Sequence, residues 1–116
     1  MIGPTLGILI VVVILLETLS QFMVRMYYEN KDKIYLAFIA WAIYLAIVFI
    51  LTMLYDYSKF AIANALWDAG TIIAISLVGY FYFGEPLNIG EIIGICLVIA
   101  GALTIGISTK EKSEEE

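Results

Sequence analysis

The sequence predicts an all-α membrane protein with four transmembrane helices in a compact up-down bundle. Of its 116 residues, 63% are hydrophobic and only 15% are charged, which is more apolar surface than a soluble domain of this size can bury. The charged residues are clustered and leave four long stretches with few or no charges between them. A spanning helix needs roughly 20 predominantly apolar residues. The predicted spans, about 4–26, 34–55, 60–83 and 90–109, indicate a multi-pass protein of the cell membrane.

The first span contains the most unusual residue of the chain, Glu17. A carboxylate near the bilayer centre costs about 2.5–3.5 kcal/mol on insertion scales, and such a residue usually binds a cation, carries a proton or pairs with a partner. Arg25 lies near the membrane border, about 12 Å from Glu17 along the helix axis, which is too far for a direct ion pair. Ser20 and Gln21 follow Glu17 by three and four residues and should share its face. We expect a retained helix here, since no basic segment precedes it as in a signal peptide.

The third span carries a second polar stripe. Asn64, Asp68 and Thr71 recur at intervals of four and three residues, so they share one face of a helix. Facing lipid would be costly both for this stripe and for Glu17. We therefore expect the two polar faces to point at each other or at a shared wet cavity.

Aromatic side chains add to this predicted site. Tyr44 of the second span and Trp67 of the third could form its walls, because an acid and aromatic rings together can hold an organic cation. Each residue also has a structural interpretation. Trp67 alone more often packs than binds, and Tyr44 could be a packing or border residue. Asp68 could be structural, hydrogen-bonded to Asn64 or Thr71 across a turn.

The connections between the spans are short, so consecutive helices should be antiparallel neighbours. Three lysine or arginine side chains would then lie on each side of the membrane. They are Arg25, Lys31 and Lys33 on one side and Lys59, Lys110 and Lys112 on the other. Because the Lys and Arg bias normally sets orientation, this balance has two interpretations. Either it is a chance result in a small protein, or copies insert both ways and pair as antiparallel dimers.

The fourth span offers a surface for such pairing. Gly90, Gly94 and Gly101 stand at spacings that let helix backbones approach closely in lipid. These glycines could instead serve packing within one protomer.

Several classes of function are not expected. The chain has no histidine and a single cysteine, Cys96, so neither a metal site nor a cofactor is predicted. No nucleophile and base are apparent for an enzyme, and no basic patch indicates nucleic acid. The net charge of −5 owes much to the glutamates of residues 110–116, which we predict to be a disordered acidic tail.

Several of the residues named above stand in the pattern of a known family. Glu17 occupies the place of an essential first-span glutamate, and Arg25 that of a basic residue two turns later. Tyr44 matches a site-lining tyrosine of the second span. Segment 63–67, Ala-Asn-Ala-Leu-Trp, is similar to A-Y-A-[IV]-W, and segment 82–87, Tyr-Phe-Gly-Glu-Pro-Leu, to aromatic-Phe-[GK]-E-x-L.

On these residues the chain resembles the small multidrug resistance family, four-helix proton-coupled exporters of the drug/metabolite transporter superfamily. The resemblance covers about residues 9–108, and Gly94 and Gly101 match the dimerisation glycines of the family. It implies an antiparallel homodimer, or a pair with a paralogous chain. It also implies exchange of protons for small organic cations, such as amines, polyamines, guanidinium or quaternary ammonium compounds. Glu17 would bind protons and substrate in turn.

Departures from the family pattern make the third span more polar. Asn64 stands where the family has Tyr, Asp68 where it has a small residue, and Thr71 where it has Gly. The predicted binding residues thus include Asn64 and Asp68, with Ser20, Gln21 and Thr71 in support. The added polarity favours a polyamine, a guanidinium compound or a polar amine over a bulky aromatic drug.

Two other functions stay open at this level. A lipid-linked sugar or polyprenyl-phosphate carrier subunit of the same superfamily would need basic groups for its phosphate, and only Arg25 and Lys59 lie near the borders. A non-transporting structural membrane protein would show no cation-dependent release of protons.

Overall fold

The computed structural model describes residues 3–109, which form four α-helices joined by short loops. The helices are α1 (Pro4–Glu29), α2 (Tyr35–Leu54), α3 (Phe60–Phe81) and α4 (Ile89–Ser108). Each is long and apolar enough to cross a membrane. The prediction of an all-α protein with four spanning helices is confirmed, and the chain is a multi-pass integral membrane protein. The predicted tail, 110–116, lies outside the described residues.

The ends of the helices follow from local chemistry. Pro4 stands in the first turn of α1, where its missing N–H is no loss and its fixed φ suits the helix. Asn88 caps α4 by accepting a hydrogen bond from the Glu91 backbone N–H at 2.9 Å, and Glu91 adds a favourable negative charge to that first turn. Between α3 and α4 the chain turns at Gly84, whose φ of 67° lies in the left-handed region.

The core forms where α1 packs on α2 and α3. Its buried members are Leu6, Ile10 and Val13 of α1, Ile47 and Leu54 of α2 and Leu66 of α3. The fourth helix packs mainly on α3, and none of its residues is buried within the chain that the structure describes. The protomer is flattened, with extents of 52 × 35 × 19 Å. Much of α4 therefore remains available to lipid or to another chain.

The crossing of α1 and α3 is especially close at Gly70. A Cβ atom at this position would overlap the Ile14 side chain. Glycine in a helix costs about 1 kcal/mol relative to alanine, and this close approach explains its presence in the middle of α3. Ile14 precedes Glu17 by three residues, and Gly70 follows Asp68 by two. The contact therefore helps to set how far apart the two acids lie.

We predict that Gly70→Ala lowers the thermal stability of the detergent-solubilised protein. The added methyl group meets the Ile14 δ- and γ-carbons, and overpacking of this kind costs about 1–3 kcal/mol, which equals or exceeds the gain of about 1 kcal/mol from alanine in a helix. Ile14→Val removes the δ-carbon, so the double variant should recover part of the loss. Thermal melts followed by circular dichroism would measure both effects, with Ile14→Val alone as the control. A Gly70→Ala protein that melts at or above the parent temperature would contradict a tight crossing.

Candidate functional site

The two acids of the first and third spans meet in one open groove between α1 and α3. The groove has a volume of about 420 Å³. Its lining consists of Glu17 from α1 and of Asp68, Thr71, Ile72, Ile75 and Ser76 from α3. None of these six lining residues is basic. The groove is therefore an acidic recess within an apolar protein.

Glu17 is the centre of this groove. Asp68, Trp67 and Gln21 are its polar neighbours. Its Oε2 atom is buried, yet it forms no hydrogen bond of ordinary geometry within residues 3–109. The indole Nε1 of Trp67 is also buried and forms no hydrogen bond of ordinary geometry in that part of the chain, but Trp67 neighbours Glu17 and does not line the groove. The carboxylate thus keeps capacity for a further partner.

Thr71 adds a third unpaired polar atom to the same region. Its side chain is only 4% exposed, and its Oγ1 has no hydrogen-bond partner among the described residues. An unsatisfied buried polar group costs about 1–3 kcal/mol, and native proteins contain few of them. Since Glu17 and Thr71 both line the groove, a ligand that pairs with their unpaired oxygen atoms would recover part of that cost.

Gln21 of α1 and Tyr44 of α2 form a hydrogen bond near Glu17. The Nε2 of Gln21 donates a hydrogen bond to the Tyr44 hydroxyl oxygen at 2.8 Å, one helical turn from Glu17. Tyr44 is half-buried and packs against the core, but it does not line the groove. The pair links α1 to α2 and holds the polar stripe of α1 in position.

Of the eight predicted binding and supporting residues, three line the groove, namely Glu17, Asp68 and Thr71. Ser20 and Asn64 are among those that do not. The hydroxyl of Ser20 is fully buried and donates to the Ala40 carbonyl oxygen at 3.4 Å, so it faces α2. Residues three apart on a helix differ in direction by about 60°, which is enough to separate Ser20 from Glu17. The amide of Asn64 donates to the Phe60 carbonyl oxygen at 2.8 Å and to the Tyr55 hydroxyl oxygen at 3.3 Å.

The sequence analysis left open a structural role for Asp68, in which it is hydrogen-bonded to Asn64 or Thr71. Neither Asn64 nor Thr71 hydrogen-bonds to Asp68 within the described part of the chain, because the amide of Asn64 is engaged elsewhere and Thr71 Oγ1 is unpaired. The Asp68 side chain is exposed in the groove. Its position beside Glu17 is therefore not explained by a hydrogen bond within its own helix.

Two charged contacts of Arg25 are not predicted from the sequence. Arg25 Nη1 lies 2.8 Å from Glu85 Oε2, and Arg25 Nε lies 3.2 Å from Glu29 Oε1. The guanidinium also lies over the Phe83 ring, 4.4 Å from its centroid. The sequence contained one usable signal, namely opposite charges near the same ends of the first and third spans.

The glycine face of α4 takes no part in packing the protomer. A Cβ atom at Gly94 or at Gly101 would meet no atom of residues 3–109 within 4 Å. At Gly90 it would meet only Asn88 Oδ1, at 3.3 Å. Cys96 is exposed on the same helix, and no group of metal-ligating side chains is found among the described residues.

Four apolar helices, with an acidic groove between two of them, define an integral membrane protein. A family model for the Small Multidrug Resistance protein matches residues 7–98. The chain belongs to the small multidrug resistance family.

Several curated proteins are similar to this chain in sequence. The chain is 34% identical over 67 residues to the multidrug transporter EmrE of Escherichia coli, an alignment covering 58% of this chain and 61% of EmrE. It is 30% identical over 60 residues to the uncharacterized membrane protein YvaE of Bacillus subtilis, covering 52% and 50%. It is 32% identical over 47 residues to the multidrug resistance protein Mmr of Mycobacterium tuberculosis, covering 40% and 44%. The chain spans roughly half the length of the curated relatives that it matches.

Proposed function

We propose that the protein is a proton-coupled antiporter that exports small organic cations by alternating access, with Glu17 shared between protons and substrate. The observation that carries this proposal is the groove in which Glu17 and Asp68 meet with no basic side chain in its lining. Membership of the family supports it, as do the relatives that are named multidrug transporters.

The exchange follows from the cost of a charge in an apolar environment. A carboxylate removed from water is expensive unless a proton or a cation neutralises it. A proton and a cation therefore compete for Glu17, and each favours release of the other. If the groove opens to the two sides of the membrane in turn, a proton gradient can then drive a cation outward.

The substrate class follows from the lining of the groove. Asp68 adds a second negative charge, and Thr71 adds an unpaired hydroxyl group that can accept a hydrogen bond. Both features favour a cation with N–H donors and more than one charged or polar group. A polyamine, a guanidinium compound or a polar amine fits this description better than a bulky quaternary ammonium compound. A volume of about 420 Å³ is in the range of small-molecule sites.

A phosphate-bearing substrate finds less support. The lipid-linked sugar or polyprenyl carrier of the same superfamily would need positive charge at its site. The groove lining instead contains two acids, Glu17 and Asp68, and no basic side chain. Arg25, near the border, is already paired with Glu85 and Glu29.

We also propose that the protein forms an antiparallel homodimer. The alternative is an antiparallel dimer with a paralogous chain. The balanced Lys and Arg distribution supports insertion in both directions. The face of α4 around Gly94 and Gly101, which nothing in the described protomer covers, is suited to close contact with another helix. Two copies of Glu17 facing one cavity would titrate as a coupled pair rather than as independent acids.

Glu17→Gln should abolish cation-dependent release of protons, because the amide can neither give up a proton nor attract a cation. The measurement adds candidate amines and guanidinium to purified protein in detergent at weakly buffered pH and records the pH change. Glu91→Gln is the matched control, since Glu91 lies at the exposed start of α4 and should leave the release intact. Full release from the Glu17 variant would exclude the mechanism.

Asp68→Asn should weaken polyamine binding more than binding of a monoamine. A charge pair at about 4 Å is worth about 1–4 kcal/mol between bulk water and a protein surface, so a loss of about tenfold in polyamine affinity is expected. Titration calorimetry with spermidine and with a simple monoamine would measure the difference. If the ratio of the two affinities is the same in the variant as in the parent, and only the melting temperature falls, Asp68 has a structural role.

Gly94→Leu combined with Gly101→Leu should shift the protein from dimer to monomer while each protomer stays folded. The new side chains meet open space in the protomer but would keep a partner helix at a distance. Chemical cross-linking and mass measurement in detergent would report the oligomer, and circular dichroism would report the fold. Leu103→Ala, on another face of α4 and 62% exposed, is the control. A double variant that remains dimeric would place the contact elsewhere.

A further inference from the structure

The acidic groove contains two hydroxyl groups, those of Thr71 and Ser76, and they differ in their hydrogen bonds. Ser76 Oγ donates to the Ile72 carbonyl oxygen at 2.7 Å. Thr71 Oγ1 has no partner among the described residues, although Thr71 is only 4% exposed. One hydroxyl group of the groove is therefore satisfied within its own helix, and the other is not.

The missing bond of Thr71 is one that other threonines of this protein form. A serine or threonine in a helix can donate to the carbonyl oxygen three or four residues before it. Thr18, Thr52 and Thr104 all do so, at 2.7, 2.6 and 2.8 Å. Thr71 makes neither bond, so its buried hydroxyl group carries a cost that those three residues avoid.

An N–H group of a bound cation would supply the missing partner. The carboxylates of Glu17 and Asp68 line the same groove, and a carboxylate attracts any cation by charge, whether or not that cation carries an N–H group. The threonine hydroxyl has no net charge, so its contribution depends on a hydrogen bond. A cation whose nitrogen carries only carbon substituents leaves the Thr71 oxygen unpaired. A site built around an N–H group discriminates against such an analogue for this reason.

We propose that Thr71 Oγ1 accepts a hydrogen bond from a cation bound in the groove, and that Thr71 thereby selects cations with N–H donors over fully substituted ammonium compounds. This inference rests on the proposed function and deepens it, because it assigns the selection to one residue. The two acids supply the attraction for positive charge, and Thr71 distinguishes one kind of cation from another. The empty protein is less stable as a result, since it buries a hydroxyl group without a partner among residues 3–109.

The first test compares two cations that have the same charge and the same apolar arm. Butylammonium carries N–H donors on its nitrogen, and butyltrimethylammonium carries none. Thr71→Val keeps nearly the shape of threonine and removes the oxygen atom. It should weaken the binding of butylammonium about tenfold and leave the affinity for butyltrimethylammonium unchanged. Titration calorimetry on the purified protein in detergent would measure both affinities.

The second test needs no ligand. Thr71→Val should raise the melting temperature of the empty protein by a few degrees, because a methyl group replaces a buried oxygen atom that lacks a partner. Circular dichroism in detergent would follow the melt. Ser76→Ala is the matched control in both tests, since the Ser76 hydroxyl lines the same groove and is already paired. It should neither change the ratio of the two affinities nor raise the melting temperature.

The outcomes separate this inference from the antiport mechanism. An unchanged ratio of affinities in Thr71→Val, or the same change in Ser76→Ala, would overturn the role of Thr71. A Thr71→Val protein that melts below the parent would overturn it as well, because the hydroxyl group would then be paired in the empty protein. Full proton release from Glu17→Gln would exclude the antiport mechanism alone, since the affinity ratio is measured without a proton gradient. A parent protein that binds neither cation would overturn both.

Discussion

The arrangement of the candidate site depends on how closely α1 approaches α3. At their crossing, Gly70 leaves no room for a side chain beside Ile14. Glu17 and Asp68 lie within one turn of this contact on the two helices, so the backbone approach determines how near the carboxylates lie. In a bilayer the hydrophobic effect does not drive helices together, and association relies on packing and hydrogen bonds. A close glycine contact is therefore a main determinant of the site geometry.

Polar atoms outside the groove are mostly paired, which distinguishes the groove from the rest of the protein. Gln21 donates to Tyr44 and connects α1 to α2, while Asn64 donates to Tyr55 at the end of α2. These bonds orient helices whose surfaces are otherwise apolar. The buried side-chain atoms that lack a partner within residues 3–109 are Glu17 Oε2, Trp67 Nε1 and Thr71 Oγ1. Glu17 and Thr71 line the groove and Trp67 neighbours Glu17, so these atoms lie in or beside the recess.

The sequence could predict part of this site and not the rest, for reasons visible in single residues. Helical spacing placed Asp68 and Thr71 on one face, and both line the groove. The same reasoning grouped Ser20 with Glu17, but a polar stripe is wide enough for its two edges to face different neighbours. Ser20 faces α2 for this reason. Asn64 is drawn to its own helix and to Tyr55, and no local pattern specifies which partner an amide will choose.

The sequence by itself determined the four spans and the acids within them, because hydropathy and charge spacing are local properties. The tertiary structure alone decided which helix faces meet. It placed Gly70 against Ile14, joined Arg25 to Glu85 across 60 residues of chain, and left α4 outside the core. These pairings depend on the rotation of each helix about its axis. An almost uniformly apolar surface specifies that rotation only weakly, so packing had to set it.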